Sequence, residues 1–489
     1  MRNYFVFALL GFVLSSFYIV NEVNANDFQE PEIKIFDNRN FDFVSNPVVL
    51  DSDFKTQEFV SGLIAPVNME FLGEDLLVIE KNSGTVKHVK NNKLLDFPVL
   101  DVEVSNYGEQ GLLGITSVEN EVYLFFTEAF HDGGLTLENR VYKYTWNGNE
   151  LVQPILLKRI PIFETAYVGG EIVSDLDGTV YAVTGDNRKT GLLQNHLKDE
   201  SYRYSTDQTT YLTHALSCVK ISFYHYTTNP FSWQSEQPDL SNNPLEFNLF
   251  NILGNLDSCA RQFFYENFSD GHWKDTSSII QIEPKGAYAA IGIRNSFGLA
   301  VDPKTGYLWD TENGPDVYDE INLVETKFNS GWAKIQGPSN GKLLPQLPNY
   351  EEYEYSEPEF SWELPIGVTA IEFPNSKMFE KYENFVFVAD VNNGNIYKFK
   401  LDDTRTKFIF ESPYLQDNVL NILENSEDAA FSGDIGCLMS GIPCYEFDPM
   451  DEILFGKNFG MISDMKFGPD GALYVISLME GKIYRITLG

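Results

Sequence analysis

The sequence has few residues that could cross-link it or bind transition metals, because its 489 residues include only four cysteines and six histidines. The cysteines form two local pairs and show no His/Cys spacing typical of a zinc site. In an oxidising compartment we expect two disulfides with that local pairing, although four cysteines allow three connectivities and free buried thiols are the alternative. The pairs are Cys218 with Cys259 and Cys437 with Cys444.

Positive charge is also scarce. The chain has 35 Lys and Arg residues against 71 Asp and Glu residues, which gives a net charge of −36. Such a chain repels phosphate backbones, so we exclude nucleic acid as a partner, and anionic membrane surfaces are disfavoured for the same reason. The acidic surface suits the binding of cations, or serves solubility alone.

Long apolar runs are missing except at the N-terminus. Arg2 precedes an almost unbroken apolar stretch from Phe5 to Val20, and small residues end it at Val23-Asn24-Ala25. This pattern predicts a signal peptide over residues 1–25 and a secreted protein without stable membrane insertion, with an uncleaved N-terminal anchor as the alternative. We expect an N-terminal extension over residues 26–60.

One short pattern recurs along the chain: an apolar strand, a turn rich in Asp, Gly or Asn, and a second apolar strand. Several copies are followed by a further pair of strands, so each unit holds four. The pattern predicts an all-β fold, a six-bladed β-propeller over residues 61–489, with a β-sandwich or two smaller β domains as the alternative. The copies begin at Val67, Gly111, Gly170, Phe297, Thr369 and Ile462.

Two stretches interrupt this rhythm, at about residues 195–280 and 413–458, and each contains one cysteine pair. The first stretch has apolar residues at helical spacing, which predicts a short amphipathic helix. Both stretches are interpreted as loop or helix insertions that either shape a binding surface or only decorate the fold. The residues at helical spacing are Leu249, Ile252, Leu253 and Leu256.

A set of motifs appears in a fixed order from about Gly62 to the C-terminus. The motifs are Gly111-Leu112-Leu113-Gly114, Gly169-Gly170 with Gly185-Asp186, Gly292-Ile293-Arg294-Asn295, Trp309 to Pro315, Asp319-Glu320-Ile321-Asn322 and Gly468-Pro469-Asp470-Gly471. In this order they resemble the glucose/sorbosone dehydrogenase family. The resemblance implies that pyrroloquinoline quinone (PQQ) lies over the propeller axis, that calcium polarises it, and that a histidine base takes the proton of the sugar's C1 hydroxyl.

The resemblance also implies roles for particular residues. Gly314 and Pro315 match the pair whose carbonyl groups hold the calcium of the cofactor, and Glu320 matches a ligand of a second, structural calcium. Arg294 and Asn295 match residues that contact the quinone, and Asp186 matches an acidic residue near the substrate.

The chain departs from the family pattern at the base and at most of the cations. Tyr167 stands where the histidine base is expected, and tyrosine is a poor base because its ordinary pKa is about 10. The glutamine expected before Gly111 is displaced, so that Glu109 holds its place and Gln110 lies beside it. One lysine and two arginines that would pair with the PQQ carboxylates are replaced, which weakens the expected binding of PQQ. Their positions hold Asn392, Met461 and Ser463.

Two functions follow from these residues. The first is a PQQ- and calcium-dependent oxidoreductase that oxidises the CH–OH group of a sugar or another alcohol, with Tyr167 or Asp186 in place of the base. The alternative is a catalytically degenerate propeller that binds a glycan, protein or other ligand without redox chemistry. A structural subunit of a surface layer is a third, weaker option, and nothing in the sequence indicates the oligomeric state.

Overall fold

A computed structural model describes residues 46–134, 136–162, 164–187, 192–195, 275–339, 341–348, 353–420 and 449–489. The predicted signal peptide, the helix predicted near residue 250 and all four cysteines (Cys218, Cys259, Cys437, Cys444) lie outside the described residues. The described part has one short α-helix, α1 (Pro449–Ile453), and 3-10 turns at Leu192–Gln194, Leu344–Gln346, Lys377–Tyr382 and Pro413–Leu415. None of its helices has the length and apolar character needed to cross a membrane.

The rest of the regular structure is β-strand, as the alternating apolar pattern predicts. The strands of the first half are β1 (Val48–Val49), β2 (Phe54–Ser61), β3 (Pro66–Leu72), β4 (Asp75–Glu80), β5 (Thr85–Lys90), β6 (Lys93–Leu94), β7 (Leu100–Asp101), β8 (Leu112–Val118), β9 (Glu121–Ala129), β10 (Thr136–Trp146), β11 (Leu151–Ile160), β12 (Gly169–Ser174) and β13 (Val180–Thr184). The strands of the second half are β14 (Ser278–Glu283), β15 (Tyr288–Ile291), β16 (Ser296–Val301), β17 (Leu308–Glu312), β18 (Asp319–Val324), β19 (Phe328–Asn329), β20 (Glu354–Tyr355), β21 (Phe360–Trp362), β22 (Val368–Glu372), β23 (Phe385–Asp390), β24 (Ile396–Lys400), β25 (Val419–Leu420), β26 (Leu454–Lys457), β27 (Ile462–Phe467), β28 (Leu473–Ser477) and β29 (Lys482–Leu488).

These strands pair into six sheets, which we number by the order in which their first inner strand occurs in the chain. The orders are β3-β4-β5-β6 with β7 on β5, β8-β9-β10-β11, β12-β13-β14-β15-β19-β20, β16-β17-β18-β21-β25, β22-β23-β24-β26-β1 and β27-β28-β29-β2. The main hairpins are antiparallel, and the three added pairs β15–β19, β19–β20 and β21–β25 are parallel. The chain therefore has an all-β propeller fold with few helices.

The inner strands of the six sheets form a ring. In the described residues β3, β8, β12, β16, β22 and β27 each contact the next, and β27 returns to β3. Apolar clusters fill the spaces between neighbouring sheets, so each sheet is buried on both faces. Because side chains alternate along a strand, one β17 residue, Trp309, joins the core toward the fifth sheet, and the preceding Leu308 faces the third.

The ring is closed by the two ends of the described chain. Strand β2 pairs along its length with β29, from Phe54 opposite Leu488 to Ser61 opposite Lys482. Strand β1 adds to the edge of the fifth sheet. The extension predicted over residues 26–60 is thus part of the sheets from residue 48 onward, because edge strands there need a hydrogen-bonding partner.

The two predicted insertions also have different limits in the structure. The first lies between β13 and β14 of the third sheet, and regular pairing resumes at Ser278, inside the predicted range. The second was predicted to end at residue 458, but α1 and β26 lie within it, and β26 is a strand of the fifth sheet. Short strands with few alternating residues, such as Leu454–Lys457, carry too weak a pattern to be separated from a loop.

Truncating Phe54 should weaken the closure of the ring. This side chain is buried on β2 and packs against Phe379 and Phe455, with ring centroids 4.6 and 6.0 Å away. We expect Phe54→Ala to lower the free energy of unfolding by about 3 kcal/mol, as for other buried Phe→Ala changes. Denaturant unfolding measures the loss. The matched control is Phe97→Ala, whose side chain is 83% exposed, and equal effects of the two changes would contradict the assigned closure.

Polar side chains of the inner strands meet inside the ring. Lys466 lies 3.2 Å from the carboxylate of Glu70, and Glu372, Asp464 and Glu171 are close enough to act on it electrostatically. Burial raises the pKa of Glu372 to about 8, although Lys466 opposes this shift. Four carboxyl groups surround one amine, so protonation of a carboxyl group is the simplest way to reduce the repulsion among the carboxylates.

Glu372→Gln should therefore change how stability depends on pH. A carboxyl group whose pKa is raised by folding binds its proton more tightly in the native state, so stability falls as pH rises from its ordinary pKa toward about 8. Glutamine has no such proton, so we expect the variant to gain about 1 to 2 kcal/mol relative to the native protein between about pH 5 and about pH 8. Thermal unfolding at both values measures this gain, and the exposed Glu380→Gln serves as control. A gain in stability that is the same at about pH 5 and at about pH 8 would contradict the raised pKa of Glu372.

Candidate functional site

The predicted site residues gather at one end of the ring because of the strand pairing. In each antiparallel sheet the start of the inner strand lies beside the end of the second strand, as Gly169 pairs with Thr184 and Ser296 with Glu312. Residues that precede an inner strand or follow a second strand therefore share this end. We call the group formed there by Glu109, Tyr167, Asp186, Arg294, Asn295 and Trp332 the axial pocket.

Arg294 is the central side chain of the axial pocket, and it is buried. Its Nη1 donates to the carbonyl oxygens of Asn313, at 2.5 Å, and Gly314, at 2.9 Å. The ring of Tyr167 covers the guanidinium at 4.2 Å, and the ring of Trp332 lies at 5.5 Å. These are cation–π distances, so two aromatic rings and two carbonyl groups already hold this charge.

Glu109 connects three loops of the axial pocket. Its Oε2 accepts hydrogen bonds from the backbone N–H of Val168, at 3.1 Å, and from Nδ2 of Asn295, at 3.4 Å. The Oδ1 of Asn295 in turn accepts from the N–H of Gly169 at 3.2 Å. Burial raises the pKa of Glu109, while these hydrogen bonds and the charge of Arg294 oppose the rise.

Asp186 is held by hydrogen bonds to Trp332 and to the backbone of Arg294. Its Oδ2 accepts from the indole Nε1 of Trp332 at 2.7 Å, and its backbone N–H donates to the carbonyl of Arg294 at 2.8 Å. Tyr167 has a positive φ of 59°, just before the chain enters β12 at Gly169. Asp186 is thus a buried hydrogen-bond acceptor that fixes the orientation of an aromatic ring.

Other predicted residues lie apart from this group. Gln110 is turned away from the axis: its Oε1 accepts from Ser105 and Thr136, and its Nε2 donates to the carbonyl of Glu164. Gln110 lies in a loop, and its contacts with Ser105, Thr136 and Glu164 hold its side chain away from the pocket that Glu109 enters.

The three positions where cations are expected lie at the same end as the pocket but carry no charge. Met461 and Asn392 are exposed, and Ser463 donates to the carbonyl of Pro66 at 3.1 Å. Pro315, beside Gly314, is exposed as well.

Lys81 belongs to the rim of the axial pocket, although no motif indicates it. Its Nζ donates to the carbonyl of Gly108 at 2.8 Å, and it interacts electrostatically with Glu109. Burial lowers its pKa to about 8. Only its position directly after β4 could have marked it in the sequence, since that end of every second strand faces the site.

Glu320 lies deeper, in a group of buried carboxylates between the third and fourth sheets. Strand pairing sets Glu312 opposite Glu320 and Asp310 opposite Asn322 on the same sheet face. Burial raises the pKa of all three carboxyl groups, and each is raised further by at least one carboxylate neighbour. In the part of the chain that the structure describes, no three His, Cys, Asp or Glu side chains already converge as a set of metal ligands.

Comparisons with known proteins match the parts of the chain in which most of the motifs lie. The family model described as glucose/sorbosone dehydrogenase matches residues 63–202 and 275–423, which together are more than half of the chain. The aldose sugar dehydrogenase YliI of Escherichia coli is 30% identical over 120 residues, which is 24% of this chain and 32% of that protein. The chain therefore matches about a third of the length of this curated relative.

Solved structures share the fold over almost their whole length. The soluble aldose sugar dehydrogenase of Escherichia coli is 18% identical with a TM-score of 0.54, over 89% of this chain and 100% of that one. The aldose sugar dehydrogenase of Streptomyces coelicolor, solved with PQQ bound, is 17% identical with a TM-score of 0.52, over 90% of this chain and 99% of that one. By its family match, its order of motifs and its fold, this chain belongs to the glucose/sorbosone dehydrogenase family.

Proposed function

We propose that this chain is a sugar-binding member of its family, whose axial pocket accepts a neutral, polyhydroxylated ligand and does not hold PQQ tightly. The observation that carries this proposal is the position of Arg294. Its guanidinium is buried, is bonded to Asn313 and Gly314, and is covered by the ring of Tyr167.

The axial pocket does not fit PQQ as the family resemblance requires. PQQ carries three carboxylates, and buried carboxylates need cationic partners. The pocket places the carboxyl groups of Glu109 and Asp186 near the axis, and its central cation, Arg294, is already bound to carbonyl groups. Arg294 also donates to the Gly314 carbonyl that would hold the cofactor's calcium, so a protein cation takes the place of the metal at this atom.

A neutral sugar fits the same groups better. Aromatic rings such as that of Trp332 offer an apolar face with polar atoms at the edge, and carboxylate oxygens accept hydrogen bonds from hydroxyl groups. Concave sites with a few converging polar groups on a rigid scaffold are the usual form of small-molecule sites. The pocket would thus orient a sugar, hold it against an aromatic ring and offer it carboxylate oxygens as hydrogen-bond acceptors.

A second candidate is the family's oxidation of an aldose or another alcohol. Lys81 favours it, because an amine with a pKa of about 8 at the rim is a better proton acceptor near neutral pH than Tyr167. PQQ would supply the hydride acceptor in that case, and Lys81 in its neutral form would accept the proton of the hydroxyl group.

Two further points belong to this proposal. The ring formed by the inner strands supports one blade for each of the six sheets.

The apolar N-terminal stretch supports export, which N-terminal sequencing of the mature protein tests.

Binding of PQQ distinguishes the two functions. We expect titration calorimetry of the native protein with PQQ and calcium to give a Kd weaker than micromolar, and dye reduction with aldoses to stay at background. Binding of an aldose in the same cell, without PQQ, supports the sugar-binding function. Micromolar or tighter affinity for PQQ together with turnover of any aldose would favour the oxidoreductase instead.

Variants that restore the missing groups provide the control. Tyr167→His alone should leave PQQ binding weak, because the cofactor carboxylates still lack partners. Adding Asn392→Lys, Met461→Arg and Ser463→Arg should tighten PQQ binding by at least about tenfold before any turnover appears, since charge pairing acts on binding first.

A further inference from the structure

Three large apolar side chains are exposed at the end of the ring that carries the axial pocket. Ile64 is 68% exposed, Met479 is 69% exposed and Met461 is 36% exposed. Ile64 and Met461 each lie just before an inner strand, β3 and β27, and Met479 lies in the turn between β28 and β29. Both kinds of position belong to the pocket end of the ring, because inner strands start there and second strands end there. We call these three residues the apolar patch.

Backbone hydrogen bonds hold the three loops of the apolar patch side by side. The N–H of Leu478 donates to the carbonyl of Met461 at 2.8 Å, and the N–H of Leu63 donates to the carbonyl of Gly481 at 3.1 Å. The turn between β28 and β29 thus joins the loops that precede β27 and β3. Position 481 requires glycine, because its φ is 60° and an added Cβ would collide with the carbonyl oxygen of Leu63. The apolar side chains therefore stand on one connected surface.

This surface continues into the axial pocket through Lys81. The N–H of Lys81 donates to the carbonyl of Ala65 at 3.0 Å, so the residue directly after Ile64 is bonded to the rim of the pocket. The Nζ of Lys81 in turn donates to the carbonyl of Gly108, which precedes Glu109. A ligand in the pocket that extends toward this side therefore reaches the apolar patch.

The charged groups that form the axial pocket belong to other sheets than the apolar patch. Glu109, Asp186 and Arg294 lie in loops of the second, third and fourth sheets, whereas the patch lies in loops of the first and sixth. In the turn between β28 and β29, the carboxylate of Glu480 accepts from the hydroxyl group of Tyr484, a residue of its own sheet, at 2.5 Å. The mouth of the pocket thus offers polar groups on some loops and apolar surface on others.

We propose that the apolar patch binds the apolar aglycone of a glycoside whose sugar occupies the axial pocket. The inference rests on the proposed sugar-binding function and narrows its ligand to alkyl or aryl glycosides. Contiguous exposed apolar side chains beside a pocket mark a binding surface, and covering them adds affinity in proportion to the apolar area. Methionine side chains suit this role because they are flexible and adapt to groups of different shape.

A second copy of the chain is a poorer occupant of the apolar patch. Each partner in a stable protein complex buries about 800 Å² or more, and three side chains offer much less. An alkyl or aryl group of a small ligand needs only a surface of this size. The position of the patch beside the pocket also lets one ligand contact both.

Matched pairs of glycosides test the proposal. Titration calorimetry of the native protein compares the methyl and octyl β-glycosides of glucose and of galactose, with the octyl compounds below their critical micelle concentrations. We expect the octyl glycoside to bind at least about tenfold more tightly than its methyl partner, because part of the longer chain leaves water on the patch. An octyl sulfobetaine, which has the chain without the sugar, should bind at least about tenfold more weakly than the octyl glycoside.

Variants of the apolar patch locate the effect. Ile64→Ser combined with Met479→Ser should abolish the preference for the octyl chain and leave the affinity for the methyl glycoside unchanged. Both side chains are exposed and lie outside the axial pocket, so the fold and the sugar site should be kept. The matched control is Leu176→Ser, whose side chain is 63% exposed in the turn between β12 and β13, at the opposite end of the ring. This control should keep the native preference.

The results separate this inference from the sugar-binding function. If neither methyl nor octyl glycosides bind, the sugar-binding function is wrong and the inference falls with it. If methyl glycosides bind and octyl glycosides bind no more tightly, only the inference is overturned. It is also overturned if the double variant keeps the preference or if the sulfobetaine binds as tightly as the octyl glycoside. A native dimer in light scattering that the double variant dissociates would assign the patch to a second copy and overturn it too.

Discussion

Carboxylates that accept backbone N–H groups from a neighbouring sheet hold this propeller together. Asp319 of the fourth sheet is the fullest example, since one of its oxygens accepts from the N–H groups of Ile366 and Gly367, at 2.8 and 2.6 Å, where the chain enters the fifth sheet. Asp464 of the sixth sheet accepts from Met69 of the first, and Glu80 accepts from Ile64, which precedes the inner strand of its own sheet. Hydrogen bonds to charged acceptors are about twice as strong as neutral ones, so each helps to fix an inner strand or the loop that leads into it. Part of the chain's large acidic excess therefore has a structural use inside the protein.

The axial pocket depends on these same fixed ends. Glu109 links the loop before the second sheet to the loops before the third and fourth, so Tyr167 and Asn295 cannot shift independently. Arg294 completes the arrangement by bonding to the loop after β17. A pocket built from five loop ends is rigid because each end is anchored by a strand, and this favours shape-selective binding. Its charge, however, is set by only a few side chains, so a few substitutions can change the ligand while the scaffold stays the same.

The repeated strand–turn–strand pattern allowed the fold to be predicted, because alternation and turn chemistry are local signals. In the structure the backbone of Asp186 is hydrogen-bonded to that of Arg294, beside Asn295, and the roles that motif matching gives these residues stay predictions. The sequence could not show that Gln110 turns away from the axis, because the direction of a side chain outside a strand depends on tertiary contacts. Lys81 and Asp310 were missed for a related reason: their environments are created by neighbouring sheets that are distant in sequence. The predicted ends of the insertions differ from the structure where the strands are only two to four residues long.

The pairing of β2 with β29 has a consequence for how the chain acquires its structure. Strand β2 is synthesised among the first described residues and its partner among the last, so a growing chain carries an unpaired edge strand until synthesis is almost complete. The sixth sheet then forms by a contact between residues more than four hundred positions apart, and contacts of such long range are slow to form. An exposed strand edge is also a site of non-native pairing between chains. Until the ring is complete, this protein therefore depends most on protection from aggregation.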